Sequence, residues 1–401
     1  MVTPITSIDV KGKRLLVRAD LNVPVDKGRV TDATRIDRFA RGMKPLLEQG
    51  ARLVILTHYG RPRPNELDPG FSVDKLRPAL SDALGVPVRF SDTCATNAAV
   101  ILSESLHDGQ ALLCENLRYN PGEAANDPAF AAALALLGDV YVNDAFSCAH
   151  RAHASTEAIA RLLPAYAGPL LIEEMEALTN ALERPEKPAV AIVGGAKVSS
   201  KIAVLKNLVG KLDAVIVGGG MANTFLFARG CPMGKSLHEA DQVGTVREIE
   251  ALAAKSGCEI LLPTDIVCAT AFAEDAPAVT VPADQCPDGT MILDAGPESI
   301  AAFNARLNHA HTILWNGPLG AFEIKPFDQA TMQVARRAAS LSHEGRAVTV
   351  AGGGDTVAAL NAAGVTGDFT YVSTAGGAFL EWLEGKTLPG IAALMPPKQA
   401  A

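Results

Sequence analysis

Short apolar runs alternate with helix-forming stretches along almost the whole chain of 401 residues. In the first half the predicted strands are residues 15–18, 53–57, 111–114 and 140–143, and in the second half 190–193 is a comparable run. This alternation is typical of parallel sheets that are covered by helices. We therefore predict an α/β fold with two Rossmann-like lobes, each a mostly parallel sheet flanked by helices.

A helix-forming stretch near the middle of the chain separates the two halves. Residues 173–182 are rich in helix formers, and prolines at 185 and 188 prevent the helix from continuing. We predict an interdomain helix between two domains. The predicted ranges are a first domain at 1–170, the helix at 171–185, a second domain at 186–385, and a tail at 386–401 that packs back on the first domain.

Composition excludes several classes of protein. A net charge of −8 argues against nucleic acid as the main partner, because binding to phosphate backbones needs a dominant basic surface. The seven cysteines include no C-x-x-C pair, and an odd number is a poor disulfide framework, so we expect the reduced cytoplasm. No apolar stretch approaches the ~20 residues of a membrane span, and we expect no signal peptide and no membrane partner.

Polar residues follow the predicted strands of the first half. Asp20 and Asn22 follow the first strand, and His58 and Arg61 follow the second. Residues 115–118, with Arg118, follow the third strand, and residues 144–151, with Arg151, follow the fourth. Ligands of open α/β sheets bind beyond the carboxyl ends of the strands, so these side chains should converge on one crevice. Four ordinary loops are the alternative interpretation.

In the second half, five strand-like runs end in glycine-rich turns. Such turns permit a left-handed backbone and a close approach to a ligand. After the first turn, Lys197 and Lys201 stand four residues apart, a spacing that places two side chains on one helix face beside a helix N-terminus. The pair suits a polyanion, and a solvated helix face is the alternative. The segment is not a Walker A loop, because Gly-Lys-Ser/Thr does not follow a four-residue spacer.

Ordered motifs along nearly the whole chain resemble the phosphoglycerate kinase family. They are Arg-Ala-Asp-Leu-Asn-Val-Pro at 18–24, His-Tyr-Gly-Arg-Pro at 58–62, Glu-Asn-Leu-Arg-Tyr at 115–119, Val-Asn-Asp-Ala-Phe at 142–146, Ala-His-Arg at 149–151, and the stretches 194–202, 218–226, 315–323, 352–356 and 373–380. The resemblance implies an enzyme that exchanges a phosphoryl group between 1,3-bisphosphoglycerate and ADP, in glycolysis or gluconeogenesis. The family expectation is a monomer.

The resemblance assigns phosphoglycerate to the first domain. A ligand with phosphate and carboxylate groups suits several guanidinium groups. For Arg35 alone, a surface ion pair with Asp32 or Asp37 is the alternative, and His150 or His153 is expected nearby. The implied contacts are Asp20, Leu21, Asn22, Arg35, His58, Tyr59, Gly60, Arg61, Arg118 and Arg151.

The resemblance assigns the nucleotide to the second domain. Asp355 is expected to hold the Mg²⁺ that bridges the nucleotide phosphates, since magnesium prefers oxygen ligands and keeps several waters. A helix N-cap is the alternative role for Asp355. The implied nucleotide-binding residues are Lys201, Asn316, Glu323, Gly352, Gly353, Gly354, Asp355 and Thr356.

Phosphoryl transfer needs in-line alignment and stabilisation of charge rather than a covalent intermediate. We assign this stabilisation to Arg35 and Lys197, with backbone N–H groups at Gly353 and at Gly376-Gly377. No catalytic base is needed, because the reacting carboxylate and phosphate oxygens are already anionic. Substrates on separate domains imply closure, with the interdomain helix and residues 373–377 as hinges.

Some positions depart from the usual pattern of the family. Tyr59 stands where leucine is common, Thr57 replaces serine, and Ser147-Cys148 replaces Gly-Thr. Because none of them removes a charged contact, they affect local loop shape rather than activity. Cys148 is either a reactive thiol or a small buried residue.

Two rival functions are weighed against this assignment. A nicotinamide-dependent oxidoreductase would carry a G-x-G-x-x-G turn with an acidic residue about 20 positions later, and neither Gly-Gly-Gly segment fits that spacing. A catalytically silent nucleotide-binding protein would be expected to lack Arg35, Lys197, Lys201 or Asp355, and all four are present.

Overall fold

The computed structural model of the protein describes residues 2–396. The chain forms two compact units. The first contains the chain up to Met175 and again from Thr387 onward, and the second is Glu176–Lys386. Within the described residues, no helix combines the length and the apolar character that a membrane span requires.

The first unit is built on a parallel sheet of six strands. Its strands, in chain order, are β1 (Arg14–Arg18), β2 (Val25–Asp26), β3 (Arg29–Val30), β4 (Arg52–Leu56), β5 (Val88–Ser91), β6 (Ala111–Cys114), β7 (Val140–Asn143) and β8 (Ala165–Ala167). Strands β2 and β3 form an antiparallel hairpin, and the other six lie in the order β5-β6-β4-β1-β7-β8. The central strands are almost wholly buried, as expected when helices cover both faces of a parallel sheet.

Helices cover this sheet with apolar faces at helical spacing. The first helix buries Ile36, Phe39, Ala40, Met43 and Leu47, which recur every three or four residues and so form one stripe toward the core. This stripe leaves Arg35 off the buried face. The helices are α1 (Thr34–Glu48), α2 (Arg77–Leu84), α3 (Asn97–Glu104), α4 (Pro121–Ala124), α5 (Pro128–Ala135) and α6 (Pro169–Leu178).

The predicted interdomain helix at 171–185 is shorter and less regular than its pattern suggested. Helix α6 already begins at Pro169, a residue that the first turn of a helix tolerates. It ends at Leu178 and is followed by a π-helical turn, Thr179–Glu183. The carboxylate of Asp144 accepts the N–H groups of Leu170 and Leu171 at 2.7 and 3.3 Å, which satisfies two donors of the first turn.

The chain from Thr387 onward includes a short helix, Pro389–Ala392, that lies within the first unit. The N–H of Gly390 donates to the carbonyl of Ala149 at 2.9 Å. Leu388, Ile391 and Leu394 are buried. The bond from Gly390 to Ala149 ties the segment to the loop that follows β7.

The second unit contains a parallel six-stranded sheet and a smaller antiparallel sheet. The strands are β9 (Ala189–Val193), β10 (Ala214–Val217), β11 (Glu259–Leu261), β12 (Asp265–Ala269), β13 (Ala278–Pro282), β14 (Met291–Ala295), β15 (Thr312–Asn316), β16 (Val348–Gly352) and β17 (Tyr371–Ser373). The parallel sheet has the order β11-β10-β9-β15-β16-β17, and the antiparallel sheet has the order β13-β12-β14. The helices are α7 (Ile202–Val209), α8 (Gly219–Ala228), α9 (Val243–Ser256), α10 (Pro297–Leu307), α11 (Gln329–His343), α12 (Gly354–Ala363) and α13 (Gly376–Leu383).

The predicted fold class is confirmed, and the antiparallel sheet adds to it. Both large sheets are parallel and flanked by helices. In the second unit the strand order reverses between β9 and β15, the place where open α/β sheets bind their ligands. The glycine-rich ends of both strands therefore lie at this switch point.

We expect Gly194→Ala to destabilise the second unit. Gly194 follows β9, and a Cβ built on it would come 1.7 Å from the carbonyl oxygen of Pro318, a backbone atom that cannot rotate away. Overpacking of this kind costs about 1–3 kcal/mol or more. The free energy of unfolding in urea can be followed by tryptophan fluorescence, because both tryptophans, Trp315 and Trp382, lie in this unit.

Gly210→Ala is the matched control. Gly210 follows α7 with helical φ and ψ of −78° and −13°, and its nearest neighbours would be 3.5 Å from a new Cβ. Alanine fits this conformation, so the control should be neutral or slightly stabilising. Equal destabilisation of the two variants would show that the close approach of Gly194 to Pro318 is unimportant.

Candidate active site

A cavity of about 250 Å³ lies at the carboxyl end of the sheet in the first unit. Its lining residues follow β1, β4, β6 and β7, with one contribution from α1. Four of them are arginines, so the cavity is suited to an anion with more than one charged group. The lining residues are Asp20, Asn22, Arg35, His58, Gly60, Arg61, Arg118, Ser147, Cys148 and Arg151.

Arg35 is oriented in this cavity by an ion pair. Its Nη1 lies 2.7 Å from the Oδ2 of Asp20 and 3.3 Å from the carbonyl oxygen of Asn22. Ser147 also donates its hydroxyl to Asp20. Burial alone would raise the pKa of Asp20, but the charge of Arg35, together with the hydrogen bond from Ser147 and the charge of Arg18, lowers it below its ordinary value. The carboxylate is therefore charged and holds the Arg35 guanidinium at the cavity wall.

Backbone contacts shape the loop after β4. The Oδ1 of Asn22 accepts the N–H of Gly60 at 3.0 Å, and Arg118 donates to the carbonyl of Gly60 at 2.6 Å. Gly60 has φ of +59°, and a Cβ there would come 2.5 Å from the ring of Phe71. The glycine is needed at this position because both the backbone conformation and the space exclude a side chain.

Two of the predicted contacts lie outside the cavity lining. Leu21 is buried and donates its N–H to Thr57 Oγ1 at 3.2 Å. Both backbone groups of Tyr59 are bonded to the amide of Asn116, at 3.3 and 2.8 Å. Tyr59 also packs its ring under the ammonium of Lys75, 4.0 Å from the ring centroid.

The histidines near the cavity differ in their surroundings. His58 lines it and is buried, and burial together with the charge of Arg18 lowers its pKa to about 3. His153 Nδ1 lies 3.5 Å from a carboxylate oxygen of Glu123. His150 Nε2 accepts a hydrogen bond from Arg151 at 3.1 Å. Neither His150 nor His153 belongs to the lining.

Cys148 lines the cavity as a buried thiol. Burial raises the pKa of Cys148, although the neighbouring Arg18 opposes the effect. A thiol with a raised pKa is a poor nucleophile. The structure thus favours the small buried residue over the reactive thiol.

A second cavity, of about 530 Å³, lies at the carboxyl end of the parallel sheet in the second unit. Of the residues predicted to bind the nucleotide, Glu323 and Asp355 line it. Leu237 and Phe272 also line it although they are 53% and 57% exposed. Most other lining positions are glycine, alanine or other apolar residues on β14, on α8 and in the loops 194–196 and 318–321.

Lys201 lies beside this cavity and is held by two backbone carbonyls. Its Nζ donates to the carbonyl oxygen of Gly194 at 2.7 Å and to that of Asn316 at 3.0 Å. One ammonium group therefore links the backbone at the ends of β9 and β15. Burial lowers the pKa of Lys201 to about 8, and the charge of Asp355 opposes this only in part.

The prediction that Lys197 and Lys201 share a helix face is wrong. Helix α7 begins only at Ile202, after a 3₁₀ turn over Val198–Ser200. Lys197 is extended, with φ of −137° and ψ of 128°, and it is exposed. The turn differs from an α-helix because Ser199 and Ser200 bond their side chains to Glu239 and to the Lys197 carbonyl.

The loop after β16 is tied to the end of β15. The Nδ2 of Asn316 donates to the carbonyl of Gly352 at 2.8 Å, and the hydroxyl of Thr356 accepts the N–H of Gly317 at 2.7 Å. Gly353 has φ of +101°, and a Cβ there would come 2.8 Å from Asn316 Nδ2. Asn316 and Thr356 are thus buried supports of the loop.

The helix-cap alternative for Asp355 is wrong. The N-cap of α12 is Gly353, and Asp355 is the second residue inside the helix, exposed and facing the cavity that it lines. Helix α13 likewise begins at Gly376, with Ala375 as its N-cap. The first N–H groups of both helices lack partners within the helix and attract anions.

Two supporting residues were missed by sequence reasoning. Asp294 lines the second cavity, and its carboxylate accepts the N–H groups of Ala295 and Ala330 at 3.0 and 2.9 Å. Burial raises the pKa of Asp294 to about 8. Arg18, beneath the first cavity, is 2% exposed. Arg18 ends the predicted strand 15–18, and Asp294 lies in the short, mostly apolar segment 291–295. A charged residue in or beside an apolar run was the available signal.

Comparisons with known proteins agree across nearly the whole chain. The family model described as phosphoglycerate kinase matches residues 5–386. The phosphoglycerate kinase of Methylobacterium radiotolerans is 58% identical over 385 residues, which are 96% of each chain. That of Ruegeria pomeroyi is 55% identical over 388 residues, which are 97% of each chain.

Solved structures give the same result for the fold. The phosphoglycerate kinase of Coxiella burnetii superposes with a TM-score of 0.92 at 42% identity, covering 98% of this chain and 99% of the other. The Pyrococcus horikoshii enzyme gives a TM-score of 0.77 at 27% identity, covering 98% of both.

Proposed function

We propose how this chain, which belongs to the phosphoglycerate kinase family, uses its two cavities in its reaction. The reaction is reversible phosphoryl transfer between 1,3-bisphosphoglycerate and ADP, giving 3-phosphoglycerate and ATP. The observation that carries the proposal is the convergence of Arg35, Arg61, Arg118 and Arg151 on one cavity of about 250 Å³. A small ligand with a phosphate group at one end and a carboxyl group at the other matches this charge and size.

We assign phosphoglycerate to the cavity of the first unit. Arg61 and Arg151 are exposed and available to a phosphate group. Arg118 is partly buried, and burial and the nearby Arg151 lower its pKa, yet a guanidinium remains charged at neutral pH. Asp20 and Asn22 orient Arg35 and Gly60 around the ligand.

We assign the nucleotide to the cavity of the second unit. Its apolar wall suits a base, and the carboxylate of Glu323 can accept the ribose hydroxyls. The phosphates would lie near Lys201 and near the start of α12. The exposed carboxylate of Asp355 fits Mg²⁺, because this ion takes oxygen ligands and combines one carboxylate with phosphate oxygens and waters. When bound, the ion would neutralise charge on the nucleotide phosphates.

The residues around the transferred group act by electrostatics. Arg35 and the exposed Lys197 supply positive charge to the equatorial oxygens, and the N–H groups of Gly353 and Gly376 add hydrogen bonds. The attacking oxygen is already anionic in either direction, so no side chain has to remove a proton. We therefore assign no general base.

Because the two ligands are assigned to separate units, we propose that the protein closes during the reaction. We also propose that it is a cytoplasmic monomer. Each cavity is lined by residues of a single unit of one chain. Small-angle X-ray scattering tests the closure and the monomeric state. The expected results are the mass of a single chain throughout, and a smaller radius of gyration only when 3-phosphoglycerate and a non-hydrolysable MgATP analogue are present together.

Turnover of 3-phosphoglycerate with MgATP in a coupled assay tests the proposed function directly. We expect Arg35→Ala to lower kcat by at least ~100-fold and to leave the Kd for MgADP unchanged, because Arg35 acts on the transferred group. Arg38→Ala is the matched control, since Arg38 on the same helix pairs with Glu173 and does not line the cavity. The proposal fails if the pure folded protein shows no turnover.

The lowered pKa of Lys201 predicts proton uptake when the nucleotide binds. A polyphosphate favours the charged ammonium and raises its pKa, so the complex holds more protons than the free protein at pH values above about 8. Calorimetry of ADP binding in buffers of different ionisation enthalpy should detect uptake at pH 8.5 and much less at pH 7.

Lys201→Arg should abolish this uptake, because a guanidinium is charged throughout this range. Lys197→Arg is the control and should retain it, since Lys197 is exposed and extended. Uptake that persists in the Lys201 variant would assign the proton to another group.

A further inference from the structure

Arg18 is a buried arginine at the end of β1, behind the wall of the phosphoglycerate cavity. Its Nη2 lies 3.1 Å from the Nδ1 of His58, and its Nε donates to the Oγ of Ser155 at 2.9 Å. Its Nη1 donates to the carbonyl of Ala19. Each of the three guanidinium nitrogens therefore has a hydrogen-bond partner, and these bonds fix the position of the group.

The contact with His58 determines where the imidazole carries its proton. A guanidinium has five N–H donors and no acceptor. Nδ1 of His58 must therefore accept the hydrogen bond from Arg18, which leaves the single proton of the neutral ring on Nε2.

We infer that Arg18 is a positioning residue, which holds His58 in the neutral Nε2–H tautomer so that the ring can donate a hydrogen bond to the anion in the cavity. The inference rests on the proposed function for the identity of that anion. The tautomer itself follows from the contact between the two side chains. His58 lines the cavity, whereas Arg18 does not, so Arg18 acts through His58.

The groups around His58 favour its neutral state. Arg18, Arg118 and Arg151 oppose a positive charge on the ring, and Asp20 is the acidic group that favours one. The thiol of Cys148, 4.0 Å from Nδ1, has a raised pKa and stays protonated. Burial and the three arginine charges together outweigh Asp20 and lower the pKa of His58 to about 3. The ring should remain a neutral donor over the whole physiological range.

A buried carboxylate keeps Arg18 in place. Glu123 accepts the hydroxyl of Ser155 at 2.7 Å and its N–H at 3.1 Å. The hydroxyl proton is thereby directed to Glu123, and the lone pairs of Ser155 face Arg18. Burial would raise the pKa of Glu123, but His153, Arg18 and Ser155 lower it, so Glu123 is the buried counter-charge of Arg18.

Nuclear magnetic resonance of the unliganded protein tests the tautomer without any turnover. Long-range ¹H–¹⁵N correlations distinguish a protonated from an unprotonated ring nitrogen, and His58→Gln identifies the signals. We expect an unprotonated Nδ1 and a protonated Nε2, unchanged between pH 8 and pH 5.5. The exposed His107 provides a reference imidazole in the same sample. A proton on Nδ1, or two protonated nitrogens at pH 5.5, would overturn the inference.

A double variant tests the positioning role. Arg18→Met removes the donor, and Glu123→Gln removes the charge that it balanced, so no buried charge remains unpaired. The pKa of His58 should then rise above its wild-type value, because the charge of Arg18 is gone although burial remains. The ratio of KM for 3-phosphoglycerate, variant over wild type, should change by at least ~3-fold between pH 8 and pH 5.5 as His58 becomes charged.

Taking the ratio cancels the ionisation of the substrate itself. The ratio of KM for MgATP is the control and should not depend on pH. A flat ratio for 3-phosphoglycerate in a folded variant would show that Arg18 does not set the state of His58. If the double variant does not fold, the resonance experiment on the wild-type protein still decides the tautomer. If that experiment succeeds and no turnover is found, the proposed function fails and the tautomer stands.

Discussion

The backbones that follow β9 and β15 meet without a side chain between them, and much of the second unit depends on this contact. The N–H of Gly194 donates to the carbonyl of Asn316 at 3.0 Å, and the ammonium of Lys201 bonds to the carbonyls of both residues. A Cβ on Gly194 would overlap the carbonyl oxygen of Pro318, so this close approach of the two loops requires glycine. Residues 195–196 and 318–321, which follow this contact, line the second cavity.

The two cavities use different physical means to attract anions. The first uses guanidinium groups, whose mutual repulsion is balanced by Asp20 within the cavity and by Glu123 beneath it. Beside the second cavity lie the start of α12, whose first N–H groups lack partners within the helix, and a lysine that is partly desolvated. An anion bound in the first cavity would reduce the repulsion between the guanidinium groups. An anion bound beside Lys201 would raise the pKa that burial has lowered.

Features that depend on local pattern could be predicted from the sequence. Strands β6 and β7 have the bounds that their apolar runs indicated, and His58, Arg61 and Arg118 share one cavity because strand ends converge in parallel sheets. The antiparallel strands β12, β13 and β14 were not foreseen. They pair with each other at one edge of the cavity, and short apolar runs do not reveal the direction of pairing.

Features that depend on distant partners could not be predicted. Arg18 reads as the last residue of a strand, and its role depends on Ser155, which lies 137 residues away. Ser147 reads as a departure from a family pattern, and its contact with Asp20 spans 127 residues. A single sequence carries no signal that links such positions.

Lys197 and Lys201, which follow the first glycine turn, show how tertiary contacts give two similar residues different environments. Their spacing is that of one helix face, but Glu239 accepts the N–H of Ser199 at 2.9 Å and also its hydroxyl, from 40 residues away. These bonds stabilise a 3₁₀ turn, which leaves Lys197 extended in solvent and turns Lys201 toward the carbonyls of Gly194 and Asn316. Because burial lowers the pKa of Lys201 to about 8, this side chain can gain charge when a polyphosphate arrives. The difference between the lysines therefore originates in a carboxylate outside the motif.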